Sequence, residues 1–336
     1  MELTQPQVAS RFWDLMQTER FSIPAFWDYP VWDEFMYHIM CLDQVRLGAF
    51  RAAIGRAVGG KTVVEVGTGD RAPLAILCAE AGARKVYAIE ANEAAAAAAA
   101  RLVRDLGLAG RIQVIPGSSM SAELPERADV CLSEIIGCVG SSEGAVPILR
   151  CARRFLRDGG RMIPHRCVTF IAPLWLPDEV YHDDLVERVV EHYTERVRQV
   201  TGRSVRFTRF EYYNFPASHL IAAPGVFEDI GFNARLEESG TTTAHFDIAS
   251  ECRFDGFLLW LHLHVDEEAV IDTFSRSVWG AIYMPGEPQR LSAGDCLDIR
   301  STVRVSGNGI NPDYGIECTV RRRGQQPHTF YIDSRH

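Results

Sequence analysis

Residues 62–70 read Thr62-Val63-Val64-Glu65-Val66-Gly67-Thr68-Gly69-Asp70. The valine-rich start is a buried strand, the two glycines make a tight turn, and the run from about Pro73 to Ala81 has a helical pattern. Strand, glycine turn and helix are the first unit of a nucleotide-binding sheet: glycine lets the backbone approach a ligand, and the helix N-terminus faces it. Residues 85–90 form the second strand, ending on Glu90. That acid lies about 20 positions beyond the glycines, where it can accept both hydroxyls of a ribose. The alanine tract 94–100 is a helix, because alanine has the highest helix propensity. Residues 112–115 make a third strand, and Gly117-Ser118-Ser119-Met120 then sits where an adenine would lie. A strand over 128–132, a helix over 146–156, a turn at 157–160 and a strand opening at Arg161 complete the alternation. From 60 to 165 the pattern predicts a parallel, helix-covered sheet.

Two cofactors fit this loop. Gly67-x-Gly69-x-x-Ala72 matches the dinucleotide fingerprint, so a nicotinamide enzyme is open. S-adenosylmethionine uses the same loop and ribose acid but has no pyrophosphate. Asp70-Arg71 crowds the place where a pyrophosphate wants small residues, and Glu65 within the strand suits a cationic sulfonium. Both observations favour S-adenosylmethionine.

With 336 residues the chain has room for two domains, and 47% hydrophobic against 24% charged residues is an ordinary globular composition. A net charge of −9 disfavours nucleic acid and anionic membranes, and mildly favours a basic substrate. Nine scattered cysteines without a CxxC read as reduced thiols, and no cluster has metal-ligand spacing. The start MELTQPQVAS has no secretory pattern, and no apolar run approaches the ~20 residues that span a bilayer. A cytoplasmic protein with no metal is expected.

Residues 1–30 carry aromatic pieces, Phe12-Trp13 and Phe26-Trp27, broken by Pro24 and Pro30. From Val31 to about Val58 the apolar spacing is helical; this helix carries Met40, Asp43 and Arg46, the last two able to pair on one face. Beyond Pro164 the character changes. A strand over 167–176 is followed by a charged helical stretch, 178–201, with Val180, Leu185, Val189, Val190, Tyr193 and Val197 on one side. From Val205 onward short β-rich runs predict an antiparallel barrel or sandwich.

The stretch 133–144 reads SEIIGCVGSSEG and leaves the strand over 128–132 at its carboxyl end, where open α/β sheets bind ligands. Glu134 and Glu143 lie nine residues apart in it, with Gly137 and Gly140 between them. Two like charges held together call for a cation between them, and a planar guanidinium uses two acceptors well. Two unrelated surface acids are the plain alternative.

Together these residues resemble the protein arginine methyltransferase family over about 31–322. Asp43-Gln44-Val45-Arg46 resembles the motif whose arginine grips the cofactor carboxylate, and residues 64–69 resemble motif I. Residues 81–90 resemble the strand that ends in the ribose acid. Glu134 and Glu143 match the two-glutamate loop in spacing, and residues 156–164 resemble the strand-entry motif. Ser277-Val278-Trp279 stands where the family carries Thr-His-Trp. The resemblance implies an α/β plus β fold: a Rossmann-like methyltransferase domain, then an antiparallel β-barrel, with a helical arm that forms a homodimer. The expected division is helices closing over the cofactor at 1–50, the S-adenosylmethionine domain at 51–165, and the barrel at 166–336 with the arm at about 178–215. Met40, Arg46, Glu65, Gly67, Gly69, Glu90, Ser119 and Met120 are the implied cofactor contacts. Glu134 and Glu143 are the implied catalytic pair, and Asp43 and Trp279 belong to the substrate pocket. Val278 replaces the family histidine, and Ile135, Ile136, Cys138, Gly144 and Ala145 replace bulkier loop residues. Those departures favour free L-arginine or a small arginine-containing molecule over a protein substrate. Arginine in a protein or peptide, another amine acceptor, and a non-catalytic cofactor-binding partner remain alternatives.

Overall fold

The computed structural model describes residues 6–25, 33–178, 181–202, 207–274 and 277–334. The aromatic pair Phe26-Trp27 with Pro30 and Val31, and also Val180 and Val205, fall outside them.

The expected parallel sheet has five strands. Their order is Ile112–Pro116, Lys85–Glu90, Thr62–Val66, Ala128–Ser133, Leu156–Ile163. Thr62–Val66 is buried at every position, as a central strand covered on both faces must be. The chain winds outward from it in one direction, then returns to its other side at Ala128–Ser133. These two strands therefore flank the switch point, and the crevice at their carboxyl ends is the place where such sheets bind ligands. Helix Glu93–Asp105 starts at Asn92, whose side chain accepts from Ala95 N, and buries Ala95, Ala96, Ala99 and Val103.

Two local readings change. The periodic run through 31–58 is two helices, Glu34–Leu42 and Gln44–Ala57. Asp43 separates them with ψ of 88° and caps the second by accepting from Arg46 N at 2.9 Å. Apolar spacing runs on through the break, so periodicity hid it. The Asp43–Arg46 contact is thus a helix cap, not an ion pair of side chains. Residues 157–160 are no turn but the bulged start of strand Leu156–Ile163, whose register jumps between Ala128 and Val130.

The rest is antiparallel. One sheet runs Phe21–Pro24, Phe210–Tyr213, Ala281–Leu291, Cys252–His264, Arg166–Leu174, Gly225–Gly231, with Val270–Asp272 paired to Cys252–His264. The other runs Gly240–Asp247, Cys296–Val305, Pro312–Arg321, His328–Ser334. Both enclose one core that includes Phe227, Phe246, Phe254, Phe257, Ile299 and Tyr314, which gives the antiparallel barrel or sandwich that was expected. The N-terminal Phe21–Pro24 joins this sheet by pairing with Phe210–Tyr213, although it precedes the parallel sheet in the chain. A four-residue strand ending on proline tolerates only an edge.

Helix Asp184–Thr201 begins at the cap Asp183 and ends at Gly202 in the left-handed region. It lies where the arm was expected. Leu185, Val186, Val189 and Tyr193 pack in one cluster with Val8, Phe12 and Met16 of helix Pro6–Thr18 and Phe35 and Ile39 of Glu34–Leu42. Tyr193 OH also donates to Asp33 Oδ1 at 2.9 Å. Its apolar side is therefore covered within the same chain.

Candidate active site

Ser133 pairs with Val66 across the central strands, and its hydroxyl donates to Val66 O at 2.8 Å. Glu134 thus emerges next to the glycine turn. The loop beyond it folds back. A Cβ on Gly137 would clash with Ser142 Oγ and lie 2.9 Å from Glu143 Oε1, so only glycine lets the second carboxylate return. Glu143 holds φ of 59°, an unusual value for a residue with a side chain. Such strain persists only where the surroundings impose it. Here they do: Gly140 N donates to Thr169 Oγ1 at 3.0 Å, and Ser141 donates to Glu228 through both N, at 2.8 Å, and Oγ, at 2.7 Å. Trp279 Nε1 donates to Ile136 O at 2.8 Å. The β part of the chain therefore shapes the loop that the parallel sheet presents.

Arg46 is buried and pairs through Nη1 with Glu134, while Nη2 donates to Met40 O at 2.8 Å. Burial pushes the Glu134 carboxyl up to about 7, with Arg46 pulling the other way. Glu143 is pushed up to about 8, by burial first and then by the charges of Glu134 and Glu211. Acids shifted this far within a cavity make it the candidate site.

That cavity has a volume of about 790 Å³, and Met40, Arg46, Glu65, Gly67, Gly69, Glu90, Ser119, Met120, Glu134, Glu143 and Trp279 all line it. Gly67 has φ of +80°, and a Cβ there would lie 2.7 Å from Ile135 Cγ2. Glu90 accepts from Gly69 N and Asn92 N, each at 2.8 Å, which fixes the carboxylate at the strand end. Glu65 is buried, accepts from Thr68 Oγ1 at 2.6 Å, and is pushed up to about 8 by burial. Asp43 is not on the cavity wall. Its carboxylate is spent on Arg46 N and on Val278 N at 2.9 Å, so it joins the helix break to the 277–279 segment.

No family model matches the chain. It is 28% identical over 228 residues to a probable protein arginine N-methyltransferase 6 of Arabidopsis thaliana, covering 66% of this chain and 52% of that protein. It is 35% identical over 155 residues to protein arginine N-methyltransferase 6 of Danio rerio, covering 44% of each. The chain spans about half the length, or less, of the curated relatives it matches. Among solved structures, protein arginine methyltransferase 10 of Arabidopsis thaliana superposes with a TM-score of 0.71 at 23% identity, over 89% of this chain and 97% of that one. The Trypanosoma brucei PRMT1 enzyme-prozyme heterotetrameric complex with AdoHcy gives 0.69 at 20% identity, over 88% and 96%. The chain's relatives, in sequence and in fold, are protein arginine methyltransferases.

Within this fold several cavity residues escaped sequence reading. Tyr37, Glu211 and Tyr213 line the cavity, as do Phe12, Met16, Val189 and Tyr193 from helices Pro6–Thr18 and Asp184–Thr201. None carries a local signal, because each reaches the cavity only through packing between distant segments. Glu228, the buried anchor of the loop, was likewise invisible within an unremarkable strand. Pairing across strands also brings His245, Cys296 and Asp298 within 4.8 Å of one another, which sequence spacing could not show. His245 and Arg321 both already engage Asp298, so that carboxylate belongs to a surface charge network with them.

Proposed function

We propose that the chain is an S-adenosylmethionine-dependent arginine N-methyltransferase. The observation that carries this reading is the convergence of Glu134 and Glu143 in one cavity with the glycine turn. Fit to the cofactor is supported by three features of the wall: Gly67, where a Cβ would collide with Ile135, the fixed acid Glu90, and buried Arg46, whose Nε has no partner among the described residues. Gly67, Gly69, Ser119 and Met120 would cradle the nucleoside side, Glu90 would accept the ribose hydroxyls, and Met40, Arg46 and Glu65 would hold the amino-acid side. When bound, S-adenosylmethionine supplies an electrophilic methyl on a cationic sulfur. Glu134 and Glu143 would accept guanidinium N–H groups, align the attacking nitrogen, and draw positive charge away from it. The proton released from the methylated nitrogen passes to a carboxylate or to solvent, so no strong base is needed. Trp279 then acts by holding the loop at Ile136 and by walling the pocket.

For the acceptor, the relatives favour arginine within a protein or peptide over the free arginine that the loop departures suggested. Nine free cysteines suit a reducing, cytoplasmic setting, and among the described residues no helix is long and apolar enough to cross a membrane. A homodimer built through Asp184–Thr201 would exchange that helix between copies, repeating between chains the contacts now made within one. The functional test is mass spectrometry after incubation with S-adenosylmethionine and either an arginine-containing peptide or free L-arginine. A methylated peptide is expected, and absence of methyl transfer to either acceptor would overturn the reading.

A further inference from the structure

The cavity holds a third acid that the loop does not supply. Glu211 stands on strand Phe210–Tyr213 and lines the same cavity as Glu134 and Glu143. Three donors converge on its Oε1: Gly280 N at 2.8 Å, Tyr213 OH at 2.8 Å and Cys138 Sγ at 3.2 Å. Oε2 receives no donor among the described residues. The chain makes room for this side chain, since a Cβ on Gly280 would collide with Glu211 Cγ. A carboxylate clamped on one oxygen and open on the other is an oriented acceptor.

Charge points the same way. Arg46 is engaged with Glu134, and among the described residues neither Glu143 nor Glu211 has a cationic partner. The two lie near enough that Glu211 raises the Glu143 carboxyl. Neighbouring acids in a low-dielectric cavity are unfavourable unless a cation joins them. A purely structural acid clamping Gly280 and Tyr213 could equally be a glutamine, which keeps the accepting oxygen and the volume without the charge.

We propose that Glu211 is a third substrate-binding carboxylate, which takes N–H donors of a cationic acceptor on Oε2 and so helps to set specificity. The inference rests on the arginine methyltransferase reading. Its ligand chemistry is an N–H-bearing cation: either the guanidinium itself or a second positive group, such as the α-ammonium of free arginine. The carboxylate forms no covalent bond and is assigned no part in the chemical step.

The test is Glu211→Gln in the full chain, with calorimetric Kd for L-arginine, for Nα-acetylarginine amide and for an arginine peptide, each with adenosylhomocysteine present. Glutamine preserves the acceptor for Gly280, Tyr213 and Cys138 but places an NH₂ where the substrate N–H would bind. At least tenfold weaker binding of the acceptor is expected, with adenosylhomocysteine affinity within twofold of wild type. In turnover, the acceptor KM should rise tenfold while kcat stays within about threefold. Equal losses for all three acceptors assign Oε2 to the guanidinium, and a loss confined to L-arginine assigns it to the α-ammonium; either supports the proposal. An unchanged Kd for every acceptor overturns it, as does failure of the wild type to bind any of them. Glu211-dependent binding without methyl transfer would sink only the functional reading, whereas methyl transfer insensitive to Glu211→Gln would sink only this inference. Should Glu211→Gln fail to fold, Tyr213→Phe removes one clamp and keeps the charge; it must weaken acceptor binding severalfold, and no change there also overturns the proposal.

Discussion

Glu134 and Glu143 differ in what surrounds them, and that difference sets their expected behaviour. Glu134 shares its charge with Arg46, while Glu143 faces other acids. Replacing either by glutamine should lower kcat at least ~100-fold, in the range found when a group acting on the transition state is lost. Adenosylhomocysteine binding, read by calorimetry, should stay within a fewfold of wild type for Glu143→Gln, since Arg46 is held by Glu134 and Met40 O and not by Glu143. The raised carboxyls also predict the pH profile. Only when ionised do both acids offer every oxygen as an acceptor and carry the charge that offsets a guanidinium, so kcat/KM should climb between pH 6 and 9, about three units above an ordinary glutamate limb, with its midpoint between about 7 and about 8. A profile already flat at pH 6 would remove the paired-acid mechanism. Stability follows the opposite sign. Folded Glu143 holds its proton more tightly than the unfolded chain, for which 4.5 is the reference, so its contribution is full below that pH and is lost as pH rises through about 8. Glu143→Gln should therefore show a Tm advantage over wild type that is absent at pH 4 and opens by pH 9.

At the scale of elements, the two-acid loop owes its shape to missing side chains and to anchors from the barrel. Gly137→Ala would press on Ser142 Oγ and Glu143 Oε1, and Gly140→Ala on Cys167 Sγ at 2.9 Å and Glu228 Oε1 at 3.0 Å. Each should cost ~1–3 kcal/mol of stability, the usual range for overpacking a dense site. Denaturant midpoints check this, and Gly137→Ala should lose more activity than stability because it moves a carboxylate proposed to meet the acceptor. The spacing of the glycines and acids was legible in the chain. The anchors were not: Glu228, Thr169 and Trp279 lie far from the loop in sequence, and only strand pairing brings them to it. The helix break at Asp43 was hidden for a related reason. Its role as a cap depends on ψ and on the Val278 amide, neither of which leaves a mark on apolar spacing.

Across the whole molecule, helix Asp184–Thr201 and the N-terminal helices form one apolar cluster beside the cavity. If copies exchange this helix, sedimentation should give twice the mass of one chain, and Val189→Asp should dissociate it and also impair acceptor binding, because Val189 lines the cavity as well. A single-chain mass at all concentrations would show that the cluster closes within one molecule, and the same substitution would then act on the acceptor site alone.

By itself the sequence determined the parallel sheet, the glycine turn, an antiparallel β part and the spacing of the two acids, because each is written in residue type over short spacing: strand periodicity, glycine positions, nine residues from Glu134 to Glu143. Only tertiary structure decided which acids share a cavity. Glu211 comes from the barrel sheet, Arg46 from a helix before the first parallel strand, and Glu228 from a strand that never touches the cavity wall. Burial and charge neighbours set how each carboxyl titrates, and both depend on residues distant in the chain, so local sequence carries no record of them.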